Sequence, residues 1–183
     1  MSLLGVVLAG GKSSRMGSDK SRIELDGIPL VKRMASALDP VCDEVVISVD
    51  TFQFQDLGLN EIVDIWPELG PMGGLLAGLK AADDLGFDEV FLTSCDLFGF
   101  DPAWVSLLPV GQNSAFFDER WQPMVSRWQI EVLKRLPREN IGIWRALERV
   151  DATKIQTPSG WQASFSLNTP EDVQRAKTLI EIK

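Results

Sequence analysis

Four apolar runs, at 3–9, 44–49, 61–65 and 88–94, punctuate the first half of this 183-residue chain, and stretches with helical spacing separate them. Strands that are apolar at successive positions, rather than at every second one, are covered on both faces. That pattern belongs to a parallel sheet with helices on either side. Between the first two runs Val31, Met34, Ala35 and Leu38 fall at i, i+3, i+4 and i+7, with Pro29 placed to start a helix. Gly74 to Ala82, behind Gly70-Pro71, predicts a second, largely apolar helix. The expected fold is therefore α/β, with three α/β/α layers around a mostly parallel sheet.

Beyond Asp101-Pro102 the pattern loosens. It predicts a helix around 103–108, strands at 113–118 and 121–126, helices near 128–136 and 140–149, and a short strand near 162–167. The chain closes on Thr169-Pro170-Glu171-Asp172, which combines an N-cap, a first-turn proline and two acids suited to a helix start. Val173, Ala176, Leu179 and Ile180 are expected on the buried face of that last helix. With no repeat, low-complexity tract or linker, residues 1–183 are expected to form a single domain.

Composition removes several kinds of chemistry. The chain has no histidine, so Ser-His-Asp catalysis, Cys-His catalysis and His-ligated metals are excluded. Its two cysteines, Cys42 and Cys95, are too few for a disulfide framework and sit among apolar neighbours. Catalysis would have to run on carboxylates, cations, backbone groups and a hard metal ion. Net charge is −8, concentrated in residues 41–101, which hold one lysine and thirteen acidic residues. Such a body disfavours nucleic acid. No run approaches a membrane span and no secretory leader pattern opens the chain, so a cytoplasmic enzyme that binds no membrane is expected.

The first strand empties into Ala9-Gly10-Gly11-Lys12-Ser13-Ser14-Arg15-Met16-Gly17-Ser18-Asp19-Lys20, a loop with three glycines, hydroxyls and three cations. Glycines let backbone N–H groups approach a ligand closely, and cations at fixed offsets hold negative charge. A polyphosphate is the ligand this composition suits. The P-loop form is excluded because Val6 stands where its first glycine is required. The G-x-G-x-x-G dinucleotide spacing is absent as well.

Leu8-Ala9-Gly10-Gly11-x-Ser13-x-Arg15-Met16-Gly17-x-Asp19-Lys20 resembles the signature loop of the MobA-like nucleotidyltransferases, whose best-known members are the molybdenum cofactor guanylyltransferases. Further segments match in order. Gly27-Ile28-Pro29-Leu30 is similar to the family's G-x-P-L turn, and Gly70-Pro71-Met72-Gly73-Gly74-Leu75, preceded by Asp64, to its G-P-L-x-G-I segment. Ser94-Cys95-Asp96 resembles its P-C-D motif, and Leu167-Asn168-Thr169-Pro170-Glu171-Asp172 its N-T-P-E-D ending.

The resemblance implies a Rossmann-like nucleotide-binding N-terminal half in a nucleotide-diphospho-sugar transferase-like fold. It implies transfer of GMP from GTP to a molybdopterin-type phosphate acceptor with release of pyrophosphate. Arg15, Lys20 and Asp96 would be catalytic, and Asp96 would hold Mg²⁺. Leu8, Ala9, Gly10, Gly11, Lys20, Asp64 and Asp96 would bind the nucleotide, while Gln122 would face the acceptor and Asn168 the acceptor or the metal. Asn168 has a second reading, as a cap of the last helix with Thr169. Gly10 leans toward GTP, since guanylyl-transferring relatives read L-A-G-G and cytidylyl-transferring ones L-A-A-G. Three positions depart from the family pattern: Asp50 replaces an amide, Gln122 a histidine and Ser166 an asparagine. Alternatives are a transferase using CTP or another phosphate acceptor, and a catalytically silent nucleotide-binding adaptor. The tryptophans are expected mostly in the core or at an interface, and any that are exposed in the 121–161 half are candidates for contact with a cofactor-delivery protein.

Overall fold

The computed structural model describes residues 1–10 and 20–182. Its strands are β1 (Leu3–Leu8), β2 (Glu24–Leu25), β3 (Ile28–Pro29), β4 (Glu44–Val49), β5 (Glu61–Val63), β6 (Glu89–Ser94), β7 (Leu97–Phe98), β8 (Ser114–Asp118), β9 (Arg120–Gln129), β10 (Thr153–Gln156) and β11 (Phe165–Ser166). Its α-helices are α1 (Leu30–Leu38), α2 (Pro71–Leu85), α3 (Ile143–Arg149) and α4 (Pro170–Glu181). Seven strands form the main sheet in the order β10-β8-β9-β6-β1-β4-β5. Strands β6, β1, β4 and β5 are mutually parallel, whereas β9 runs antiparallel to both β6 and β8. The sheet is thus mostly parallel, as expected.

Alternation along β1 divides the core. Leu4 and Val6 face one side with Val90, Leu92 and the apolar face of α2; Leu3 and Val7 face the other with Ile47, Val49, Phe91 and α1. Both layers are buried, and this two-sided burial is why the strands read as unbroken apolar runs. Helix α2 approaches β1 through glycines. A Cβ on Gly74 would lie 2.5 Å from Leu8 Cδ2, and one on Gly78 would lie 2.8 Å from Val6 Cγ2.

Between β1 and α1 the β2–β3 hairpin turns at Asp26-Gly27, both with positive φ, 55° and 70°. An Asp-Gly pair suits this two-residue turn because both positions require left-handed backbone. Leu25 and Leu30 flank it and pack with Leu167, Val173 and Ala176, which ties α4 to the amino-terminal half. Helix α4 begins as expected: Thr169 Oγ1 accepts the Asp172 N–H, and the Asp172 carboxylate accepts the Thr169 N–H in return.

Several expectations are corrected. The predicted helix at 128–136 is the end of β9 followed by a short 3₁₀ stretch over Ile130–Lys134. Residues 102–107 also form 3₁₀ rather than α-helix. Strand β10 had no expected counterpart, and Leu179 is exposed. Trp104, Trp121 and Trp128 are core residues, while Trp144 is exposed. Burial pushes the Cys42 thiol up to about 12, which makes it an inert packing group. Among the described residues, no helix is long and apolar enough to cross a membrane.

Candidate functional site

Because β1, β4, β5 and β6 are parallel, their carboxyl ends share one edge of the sheet. That edge receives Leu8 to Gly10 from β1, Asp50 from β4, Asp64 from β5 and Asp96 from β6. The chain moves from β1 outward to β4 and β5, then returns through α2 to β6 on the other side of β1. A crevice opens where the strand order reverses in this way, and ligands of α/β sheets bind there. Leu8 and Asp96 flank that point, with the Leu8 carbonyl accepting the Cys95 N–H at 3.1 Å.

Asp96 is held from two sides. Its Oδ1 accepts the Ser94 hydroxyl at 2.6 Å, and its Oδ2 accepts the Lys20 ammonium at 2.6 Å. The same ammonium donates to Asn168 Oδ1 at 2.9 Å. Lys20 begins a 3₁₀ turn over Lys20–Arg22, and Ser21 beside it is buried. Asn168 is carried in by the Leu167 N–H, which donates to the Asp96 carbonyl at 2.9 Å. Residues 76 and 148 positions from Lys20 in the chain thereby share one ammonium. The Lys20 and Asp96 side chains are 17% and 19% exposed, so the pair is shielded but open to a ligand.

The two readings of Asn168 are resolved in part by its neighbours. Thr169 is the cap of α4, and the Asn168 backbone N–H goes to Asp172 Oδ2. The Asn168 side chain is left for Lys20. Ser94 is the residue that sequence reasoning missed. A hydroxyl two positions before a carboxylate at a strand end was the available signal.

Asp64 forms the second part of the site. It is 7% exposed, its N–H donates to the Val49 carbonyl, and its Oδ1 accepts the Trp66 N–H at 2.7 Å. Burial raises its pKa from the ordinary 3.8, the Trp66 N–H opposes that, and Asp50 and Glu68 add to the rise. A Cβ on Gly73 would stand within 2.3 Å of both Asp64 Oδ2 and the Trp66 carbonyl oxygen, so only glycine fits in this turn of α2. Gly70, at φ 59°, sets the entry to α2. The Arg138 guanidinium lies over the Trp66 ring at 5.0 Å, and Asn140 donates to the Glu68 carbonyl, bracing the 66–70 loop.

Gly73→Ala is expected to cost about 1–3 kcal/mol of stability, as overpacking does, because neither the helix nor the Trp66 carbonyl can retreat cheaply; chemical denaturation checks it. For Asp64, a raised carboxyl pKa means the protonated form favours the fold. Its contribution is complete below 3.8 and is lost as pH rises through the raised folded value. Asp64→Asn, uncharged throughout, should therefore gain stability relative to the native protein as pH rises from below 3.8 toward neutrality. Denaturation midpoints across that range measure it, and a difference independent of pH would contradict it.

Gly10 faces Asp50: a Cβ there would come 2.8 Å from Asp50 Oδ1. Asp50, one of the three departures from the family pattern, thus lies directly against Gly10. Gln122 is on β9, which runs past its last pairing with β6, Leu92↔Ser126, so Gln122 stands at the carboxyl end of β6. Ser166 is exposed on β11. Gly11 and Arg15 lie outside the described residues.

A buried carboxylate elsewhere has a structural explanation. Glu89 is fully buried at the opposite, amino end of β6, where its Oε1 accepts the Gly111 N–H and Arg127 Nε lies 3.6 Å from its Oε2.

The donor set at Asp96 suits a hard cation. Asp96 and Asn168 offer carboxylate and amide oxygens, and Mg²⁺ is held by one or two carboxylates plus substrate phosphates rather than by an all-protein cage. Among the described residues, no group of three or more His, Cys, Asp or Glu side chains is assembled for a metal. The residues present therefore fit a cation that arrives with phosphate ligands.

Residues 5–153 match the model of the MobA-like NTP transferase domain. A molybdenum cofactor guanylyltransferase of Cereibacter sphaeroides is 33% identical over 197 residues, covering 98% of each chain. One from Serratia proteamaculans is 33% identical over 187 residues, covering 94% of this chain and 93% of that protein. Among solved structures, molybdopterin-guanine dinucleotide biosynthesis protein A from Archaeoglobus fulgidus superposes with a TM-score of 0.75 over 98% of this chain and 100% of its own, at 20% identity. That last likeness carries the fold.

Proposed function

Since this chain belongs to the MobA-like NTP transferase family, we propose that it transfers GMP from GTP to the phosphate of a molybdopterin-type cofactor, releasing pyrophosphate. The observation that carries the proposal is the meeting of Lys20, Asp96 and Asn168 at the strand-order reversal, beside the end of β1.

In this reaction a terminal phosphate oxygen of the acceptor bonds to the α-phosphorus of GTP, and the bond from that phosphorus to the bridging oxygen of the leaving pyrophosphate breaks. The nucleophile is already anionic near neutral pH, so no general base is required, which suits a chain without histidine. What the protein supplies is position and charge. Leu8, Ala9 and Gly10, at the end of β1, are assigned to the nucleotide, together with Asp64, whose Oδ1 accepts the Trp66 N–H. Asp96 and Asn168 would hold Mg²⁺, which when bound offsets the negative charge of the phosphates. Lys20, on a flexible stem, reaches the same phosphates, and Arg15 is assigned to the departing pyrophosphate through the family motif. Gln122 is assigned to the acceptor side.

Guanine is taken from the relatives, which are guanylyltransferases, and from Gly10; the acceptors along this edge are compatible with it. Asp50 beside Gly10, and Asp64, offer carboxylate oxygens, and guanine presents adjacent N1–H and N2–H donors. Calorimetric titration of GTP and CTP with Mg²⁺ tests the base: tighter GTP binding is expected, and tighter CTP binding would replace guanine with cytosine. A pyrophosphate-release assay with GTP and molybdopterin tests the transfer. GTP binding without turnover would favour the adaptor reading.

A further inference from the structure

The oxygens suited to a cation are already engaged by one ammonium. Lys20 Nζ is 2.6 Å from Asp96 Oδ2 and 2.9 Å from Asn168 Oδ1, while the other Asp96 oxygen accepts the Ser94 hydroxyl. A divalent ion coordinated by Asp96 Oδ2 and Asn168 Oδ1 would require the space and the partners that Lys20 now holds. It would also meet a positive charge at contact distance in a shielded setting, where repulsion is strong.

We infer that Lys20 guards the metal position in the nucleotide-free protein, and that the metal is admitted only when the phosphates of a nucleotide draw the ammonium away. The inference rests on the metal assignment made above and adds an order of events to it.

The local structure allows such an exchange. The Lys20 backbone is anchored in its turn, where its carbonyl accepts the Ile23 N–H, so only the side chain has to move. A lysine carries a point charge with rotatable donors on a four-carbon stem, and it can trade a carboxylate for a phosphate without redirecting the chain. Asp96 stays in place, because Ser94 holds its Oδ1 and Leu167 its carbonyl. Coupling of this kind is reciprocal: nucleotide raises metal affinity and metal raises nucleotide affinity by one factor. The resting ion pair also keeps a part-buried carboxylate compensated when nothing is bound.

Titration of Mn²⁺ into the nucleotide-free protein, followed by the electron paramagnetic resonance of the free ion, tests the inference. Lys20→Met is expected to bind Mn²⁺ about tenfold or more tightly than the native protein, since a competing charge at contact distance is gone. Lys20→Arg, which keeps the charge, is expected to bind it as weakly as the native protein. Adding Asp96→Asn to Lys20→Met should abolish the gain. Equal or weaker binding by Lys20→Met would overturn the inference, as would a gain that survives Asp96→Asn or appears equally in Lys20→Arg. No acceptor and no turnover enter this titration. A chain that released no pyrophosphate yet showed the Lys20-dependent competition would contradict the transferase reading and leave the guard intact.

Discussion

Asp96→Asn is expected to lower the rate of guanylyl transfer by at least about 10²–10³-fold, the loss seen when one preorganised charge-stabilising group is removed. Asparagine is nearly the same size and can still accept the Ser94 hydroxyl, so the strand end should keep its shape. What disappears is the negative charge that would draw a cation to this edge. The fold is therefore expected to melt as the native protein does while turnover is lost, and steady-state kinetics beside a thermal melt separate the two. Asp96→Ala, which also removes the acceptor for Ser94 and Lys20, should abolish turnover altogether. Near-native rates in either variant would place the metal elsewhere.

Lys20→Ala is expected to cost about 2–4 kcal/mol of transition-state stabilisation, by analogy with the loss of a single oxyanion donor. The loss should fall mainly on kcat, because charge builds on the phosphates as pyrophosphate departs. If Lys20 served only to hold Asp96 and Asn168 in place, kcat would survive once metal and nucleotide were saturating. The split between kcat and KM therefore distinguishes a lysine that meets the phosphates from one that only braces the site.

Much of the architecture is legible in the sequence because the parallel strands are buried on both faces. β1, β4 and β6 announce themselves as unbroken apolar runs, and α4 by its cap and proline. The structure departs from the expected pattern where burial is one-sided or local chemistry is ambiguous. Trp128, Val132 and Leu136 are spaced as on a helix, yet Trp128 lies in the last residues of β9, which runs to Gln129, and its indole N–H donates to Ser126 on the same strand. β10, Thr-Lys-Ile-Gln, is an exposed edge strand with one half-buried apolar residue, too little pattern to declare itself.

For the site, the motifs pointed to Lys20, Asp96 and Asn168 one at a time. Their shared ammonium depends on long-range topology, which brings the segment after β11 back against the end of β6. The Gly73 contact with Asp64 is similarly invisible locally: the sequence offers a glycine after a proline, and only the approach of α2 to β5 explains why a methyl group would not fit. Ser94 stands where the family motif has proline, and the motif match by itself shows no donor to the neighbouring carboxylate.

The central claim is tested most directly by following isotopic label from GTP in the presence of Mg²⁺ and molybdopterin. Label in the α-phosphate is expected to enter the acceptor, and label in the β- and γ-phosphates to leave together as pyrophosphate. Release of the γ-label as orthophosphate, with no α-label on the acceptor, would contradict it.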